Sequence, residues 1–206
     1  MSEKIVIRDG SKTKAKILSE AKALFSLNGY KATTVRTIAA AVGIKQSALY
    51  NHFKNKEDIF KQIIENLFAN MRLDESKVNE LALGGKTFLK RFITEYKLST
   101  FDKQSEALFR ILMIELFQNA SIREKFLNDY HEKNIKYLSA GFFTMMHNGL
   151  IRSGDPILLA NEFLSPLFYL RLQVTLLRLD SISTTSISTN FEKHVEFFWE
   201  SVSLSN

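Results

Sequence analysis

The segment from Gly43 to Asp58, GIKQSALYNHFKNKED, crowds hydrogen-bonding side chains around three apolar anchors, Ala48, Leu49 and Phe53. Gln46 can pair bidentately with an adenine edge, Lys45 can donate to guanine and Ser47 can bond either base. Each good bidentate pair discriminates by about 1–3 kcal/mol. Ala48, Asn51 and His52 lie on the same short stretch and complete a surface that could meet base edges. Thr34, Tyr50, His52 and Lys56 suit backbone phosphates, which set register and salt dependence but carry no sequence information.

Such a surface works only if a helix carries it into a groove and other helices hold that helix. Ile17, Ala21, Leu24 and Phe25 recur at helical intervals after a polar start near Ser11, and Asn28-Gly29 is a stop signal. Thr33-Thr34 is an N-cap pair for a short helix with Ile38, Ala39 and Val42 that ends at Gly43. Leu49 and Phe53 anchor a third helix. Asn55, followed by Glu57 and Asp58, opens a fourth that carries Ile59, Phe60, Ile63, Ile64, Leu67 and Phe68. Ala39 is small enough for close helix crossing and Gly43 permits the turn, so helices two and three have the logic of a helix-turn-helix.

Charge agrees with this division. Of the net +6, residues 1–66 hold twelve basic and six acidic side chains, while the remainder balances sixteen against sixteen. A basic head on a neutral body fits a polyanion partner, and on charge alone a solvated basic face fits equally well.

Residues 13–65 resemble the DNA-binding domain of the TetR family of bacterial transcriptional repressors. The matching positions are Ile17, Ala21, Leu24-Phe25, Gly29-Tyr30, Thr33-Thr34, Ile38-Ala39, Val42-Gly43-Ile44, Leu49-Tyr50, His52-Phe53 and Lys56. The string LYNHFKNKEDIF is the most specific part. The resemblance implies an all-helical homodimer whose larger C-terminal domain binds a small molecule and thereby releases DNA. Lys45 stands where a Ser or Thr cap is common and Ser47 replaces a frequent glycine. The third helix is therefore expected to start a residue late or to forgo its side-chain cap, losing about 1 kcal/mol.

The rest of the chain reads as further helices. Gly84-Gly85 interrupts a pattern that resumes at Phe88, Phe92, Ile93 and Tyr96, and Ser105 to Phe117 forms another helix. Ser121 and Glu124 have capping-box spacing before a long segment reaching Met146. Asp155-Pro156 starts a helix that is apolar on nearly every side from Ile157 to Leu179, with a kink expected at Pro166. DSISTTSISTN is the polar loop, and Thr189 with Glu192 caps the last helix. Phe92, Tyr96, Phe109, Met113, Phe117, Phe142, Met146, Phe163 and Tyr169 lie on helices that could surround an apolar effector, though an aromatic core gives the same signal. The resemblance implies dimerisation through the last two long helices, with Leu167, Leu170, Val174, Leu177, Val195, Phe198, Trp199 and Val202 as candidate interface residues.

The absence of cysteine excludes disulfides and thiolate chemistry and makes a reducing cytoplasm the expected location. No signal core or membrane span is evident. His131, His147 and His194 have no paired ligand spacing, so no metal and no cofactor is expected. No nucleophile-base pair, paired acidic motif or phosphate-cradling glycine loop points to an enzyme. The expected architecture is all-α: a three-helix helix-turn-helix domain over residues 1–54 and a larger helical bundle for ligand binding and dimerisation over 55–206, with helix 55–72 connecting them. The expected function is a ligand-responsive, one-component regulator, most simply a repressor, that binds a palindromic duplex operator as a homodimer and is released by an apolar or aromatic effector. The alternative is an effector-independent, architectural DNA-binding protein.

Overall fold

A computed structural model describes residues 9–69 and 75–204, with side chains described over 10–65 and 76–204. The expected core positions Leu67 and Phe68, and the end of the connecting helix at 70–72, lie outside what it describes. The described chain is helical. It runs α1 (Asp9–Ala32), α2 (Val35–Val42), α3 (Gln46–Tyr50), α4 (Lys56–Ala69), a 3-10 turn (Glu75–Lys77), α5 (Val78–Ala82), α6 (Lys86–Phe101), α7 (Lys103–Glu115) and α8 (Ala120–Lys125). A π-helical segment (Phe126–Glu132) leads into α9 (Lys133–His147), followed by α10 (Pro156–Leu179), α11 (Thr185–Ser188) and α12 (Asn190–Val202). Among the described residues, no helix is long and apolar enough to cross a membrane.

Several local signals act as the sequence suggests. Asp155 caps α10, its Oδ1 accepting the N–H groups of Ile157 and Leu158 at 2.8 and 3.2 Å, with Pro156 at the first helical position. The stop expected at Asn28-Gly29 is where α1 breaks, Gly29 having φ 77° and ψ 167°, and a further helical stretch runs on to Ala32. Others give way to neighbours. Asn119, not Ser121, supplies the side-chain oxygen at the start of α8, accepting from the Ile122 N–H at 3.4 Å. Thr189 precedes α12 without a side-chain cap, and Glu192 instead pairs with Lys97 at 2.6 Å. The polar loop after α10 contains the single turn of α11, and Pro166 lies inside α10.

Packing divides the chain into two units: Met1–Asn70 with Ala107–Arg123, and Met71–Glu106 with Glu124–Asn206. In the first, Ile17, Ala21 and Phe25 of α1, Ile38 and Val42 of α2, Leu49, Phe53, and Ile59, Phe60 and Ile63 of α4 are buried. Each of the Ile, Val, Leu and Phe side chains contributes about 1.5–3 kcal/mol when fully buried. Phe25, Tyr30 and Phe60 form an aromatic trio with centroids 4.5–5.6 Å apart.

The second unit is built on α6, α9, α10 and α12. Phe163 is its aromatic hub, with ring centroids 6.0 Å from Phe92, 6.2 Å from Phe142 and 4.9 Å from Phe198. Gly141 has no side chain because the Phe88 ring occupies the space: a Cβ there would lie 2.7 Å from it. Arginines from α10 reach the junction of α6 and α7. Arg178 bonds the Phe101 carbonyl and, at 2.5 Å, the Glu106 carboxylate, while Arg171 bonds the Ser105 carbonyl at 3.3 Å. The Phe101 carbonyl is at the C-terminus of α6, where orphan carbonyls need an outside donor, whereas Ser105 lies in the first turn of α7.

Candidate functional site

The helix-turn-helix is held by caps at each joint. Thr34 and Thr37 form a reciprocal capping box at the start of α2: the Thr37 N–H donates to Thr34 Oγ1 at 3.1 Å and the Thr34 N–H to Thr37 Oγ1 at 3.0 Å. At the other end Gly43 takes the left-handed conformation, φ 80°, and its N–H returns to the Ala39 and Ala40 carbonyls. Lys16 of α1 donates to the Val42 carbonyl at 2.9 Å, placing a cation at the negative end of α2.

α3 is short, and its burial pattern decides what it presents. Leu49 is fully buried and Phe53 follows it into the core, with the Lys14 ammonium 5.3 Å from the Phe53 ring centroid. Lys45, Gln46, Ser47, Tyr50 and Asn51 consequently face outward and are exposed, while Ala48 and His52 are half-buried. Gln46 Nε2 lies 3.4 Å from the Tyr50 hydroxyl one helical turn on, so the amide and the phenol share a face. Lys45 occupies the cap position without a side-chain bond and α3 starts at Gln46, as the replacement of a Ser or Thr there predicts.

Lys56, expected to meet a phosphate, also has partners inside the head. Its ammonium donates to the Tyr30 and Thr33 carbonyls, both at 2.8 Å, and lies 4.1 Å from the Tyr30 ring centroid. Two of its three N–H groups and its cation–π partner are thus internal, and the side chain clasps the end of α1 to the start of α4. That α4 start is itself boxed: the Asp58 N–H donates to Asn55 Oδ1 at 2.8 Å and the Lys54 N–H to Asp58 Oδ2 at 3.3 Å. The Tyr30 hydroxyl has its pKa raised, first by burial and then by the carboxylates of Glu57 and Glu115.

The nine candidate effector residues divide between the two units. Phe109, Met113 and Phe117 belong to the first unit, and Phe117 is 82% exposed. In the second unit Phe92, Tyr96, Phe142 and Phe163 are buried in mutual aromatic packing and Met146 is half-buried, whereas Tyr169 is 59% exposed. An amphipathic reading places residues on a helix but cannot distinguish a ring that lines a space from one that fills it. A cavity of about 170 Å³ lies between the π-helical segment and the middle of α10. Bulky apolar or aromatic pairs one turn apart, Phe126 with Tyr130 and Leu164 with Phe168, were the signal for it in the sequence.

The proposed interface residues also need correction. Leu167, Leu170, Val174, Val195, Phe198 and Val202 are buried within the chain's own bundle, Leu177 is half-buried, and Trp199 packs on Gly85. Six of the eight are thus already covered, because the most apolar stripe of a helix faces its own core first, while Leu177 and Trp199 keep part of their surface. What α10 and α12 leave open is the opposite side: Leu158, Tyr169, Leu176 and Leu179 on α10, and Phe197 on α12. Among the described residues no cluster of His, Asp and Glu could hold a metal ion.

A capped two-helix turn, with a polar, exposed second helix fastened to α1 and α4, defines a helix-turn-helix DNA-binding head in an all-helical protein. The family model for bacterial regulatory proteins of the tetR family matches residues 17–63, the same segment. The biofilm operon icaADBC negative transcriptional regulator IcaR of Staphylococcus epidermidis is 31% identical over 146 residues, covering 69% of this chain and 70% of that protein. The protein belongs to the TetR family of transcriptional regulators. The dhaKLM operon transcriptional activator DhaS of Lactococcus lactis is 29% identical over 151 residues, 68% of this chain and 81% of that one. The fold matches SmeT of Stenotrophomonas maltophilia in its triclosan complex with a TM-score of 0.70, at 15% identity, over 95% of this chain and 93% of that one.

Proposed function

We propose that this regulator binds an inverted-repeat operator as a homodimer, represses from it, and is released by a small molecule held in its second unit. The observation that carries the reading is the outward set on α3, Lys45, Gln46, Ser47, Tyr50 and Asn51, standing over a buried Leu49. That arrangement puts bidentate and charged donors where a major groove presents acceptors. Repression is favoured because IcaR, the relative with the greater identity of the two, is a negative regulator. An effector is favoured by the cavity in the second unit and by the ligand complex of the SmeT fold relative.

A dimer is favoured by the exposed apolar residues on one side of α10, Leu158, Tyr169, Leu176 and Leu179, and by Phe197 of α12. Two heads related by a two-fold axis would address half-sites about 34–36 Å apart. A ligand with about a 100-fold preference for the non-DNA conformation supplies about 2.7 kcal/mol of coupling.

Selection of bound sequences from random duplex DNA at two salt concentrations tests the reading. Enrichment of one inverted repeat, lost in Gln46→Ala, supports it. Salt-sensitive binding that enriches nothing would replace it with phosphate-driven, architectural binding.

A further inference from the structure

The cavity in the second unit is walled by Phe126, Tyr130 and His131 of the π-helical segment and by Leu164, Ser165 and Phe168 of α10. Phe126 and Tyr130 stack with centroids 5.1 Å apart and 15° between planes, and Phe168 is tilted against both, at 5.9 and 6.2 Å. Rings held at such mixed angles suit a further ring, whose preferred contacts are offset stacks and edge-to-face pairs. The volume, about 170 Å³, is near the roughly 150 Å³ that accepts one benzene ring and below the roughly 300 Å³ at which drug-sized ligands begin. One wall is π-helical, a geometry concentrated at functional sites.

The polar side chains of the lining have other partners. Ser165 Oγ donates to the Asn161 carbonyl at 2.7 Å, one turn back along α10. The Tyr130 hydroxyl lies 2.5 Å from that of Tyr96, and the two are bonded whichever of them donates. His131 is exposed, its ring open to water. None of the six lining residues is a lysine, an arginine or a carboxylate. An ion entering here would give up hydration to walls that hold no fixed counter-charge, whereas a neutral ring gives up only the cost of its apolar surface in water.

We propose that this cavity is a binding site for a neutral one-ring aromatic compound, packed against Phe126, Leu164 and Phe168. Selection is by shape and by the absence of charge in the walls, and no directed hydrogen bond is required of the ligand. That such a compound acts as the effector rests on the ligand-responsive reading above, whereas the site itself does not.

Fluorine NMR titration of the full chain without DNA tests the site. 4-Fluorotoluene should bind saturably, and 4-fluorobenzoate and 4-fluorobenzylammonium, the same ring with a charge of either sign, at least about tenfold more weakly. 4-Fluoro-4′-hydroxybiphenyl should gain less than about threefold over 4-fluorotoluene, because its second ring exceeds the space. Ser165→Trp, which puts an indole into the cavity from an exposed position, and Phe168→Ala, which removes a wall, should each weaken 4-fluorotoluene by about tenfold or more. Phe143→Ala, at an exposed ring on α9 outside the lining, should leave it within about twofold and so separates the cavity from general surface adhesion. No saturable binding of 4-fluorotoluene up to its solubility limit overturns the site. So does affinity unchanged in folded Ser165→Trp and Phe168→Ala, tighter binding of either ion, or a large gain from the second ring. Binding that meets these expectations but leaves operator affinity unchanged upholds the site and defeats only its role as effector pocket.

Discussion

The carboxylate of Glu115, at the end of α7, accepts the backbone N–H of Tyr30 at 2.9 Å. Glu115 is 4% exposed and lies beside Gly29, where an added Cβ would come within 3.3 Å of Ile114 Cγ2. The end of α1 is thus fitted to a helix 85 residues away. Glu115→Ala should leave a buried donor without its acceptor and cost about 1–3 kcal/mol in urea denaturation, with Glu115→Gln recovering most of the loss. Equal stability of all three proteins would show that the bond contributes nothing.

Lys56 separates a clasp from a phosphate contact. Lys56→Met removes two charge-assisted bonds and should destabilise the protein by about 1.5–3 kcal/mol, while leaving the slope of log operator affinity against log salt unchanged. A phosphate ligand would instead lower that slope by about 1 with little effect on stability.

The open faces of α10 and α12 give opposite expectations for neighbouring residues. Leu176→Glu and Phe197→Glu, at positions 52% and 72% exposed, should convert a dimer to monomer by light scattering with little change in unfolding temperature. Val174→Glu, at a fully buried position, should unfold the chain, because a carboxylate there has no partner. Dimers that persist in both exposed-site variants would place the interface elsewhere.

Acid should destabilise the second unit through His194. Its Nε2 lies 2.8 Å from the Phe163 carbonyl and its ring stacks on Phe163, with burial lowering its pKa and the carbonyl bond opposing that in part. A lowered folded pKa means that the unfolded chain takes the proton first. The contribution is therefore complete above the ordinary value of 6.5 and is lost as pH falls below it. His194→Gln, which keeps a donor for the carbonyl, should flatten the fall of unfolding temperature on acidification. An unchanged acid slope would assign that loss to other groups.

The helix-turn-helix was legible in the sequence because its parts are local: Ile38, Val42 and Leu49 at helical spacing, a glycine that must turn, and side chains that cap within four residues. What was not legible depends on contacts between distant segments. The second half of α7 packs with the first unit through Ile114 and Glu115, and nothing in its own periodicity names Gly29 or Tyr30 as partners. Lys56 read as a surface cation because its acceptors are carbonyls, which every residue has. The cavity lies along a π-helical segment, which in sequence resembles part of an ordinary long helix. For α10 and α12, apolar character was evident, but which side meets the chain's own core was decided by packing.

The capping box of α2 has a further consequence. A glutamate is a frequent third residue in such a box, and it would bring a negative charge to the helix start. Thr37 closes the box with a neutral hydroxyl, and the first turn of α2 contains no acid and includes Arg36. The positive end of the helix dipole is left uncompensated by the protein, and a phosphate approaching it meets attraction instead of repulsion. Thr37→Glu would firm the helix and repel the duplex: at this joint stability and affinity pull in opposite directions, and the chain has kept the weaker cap.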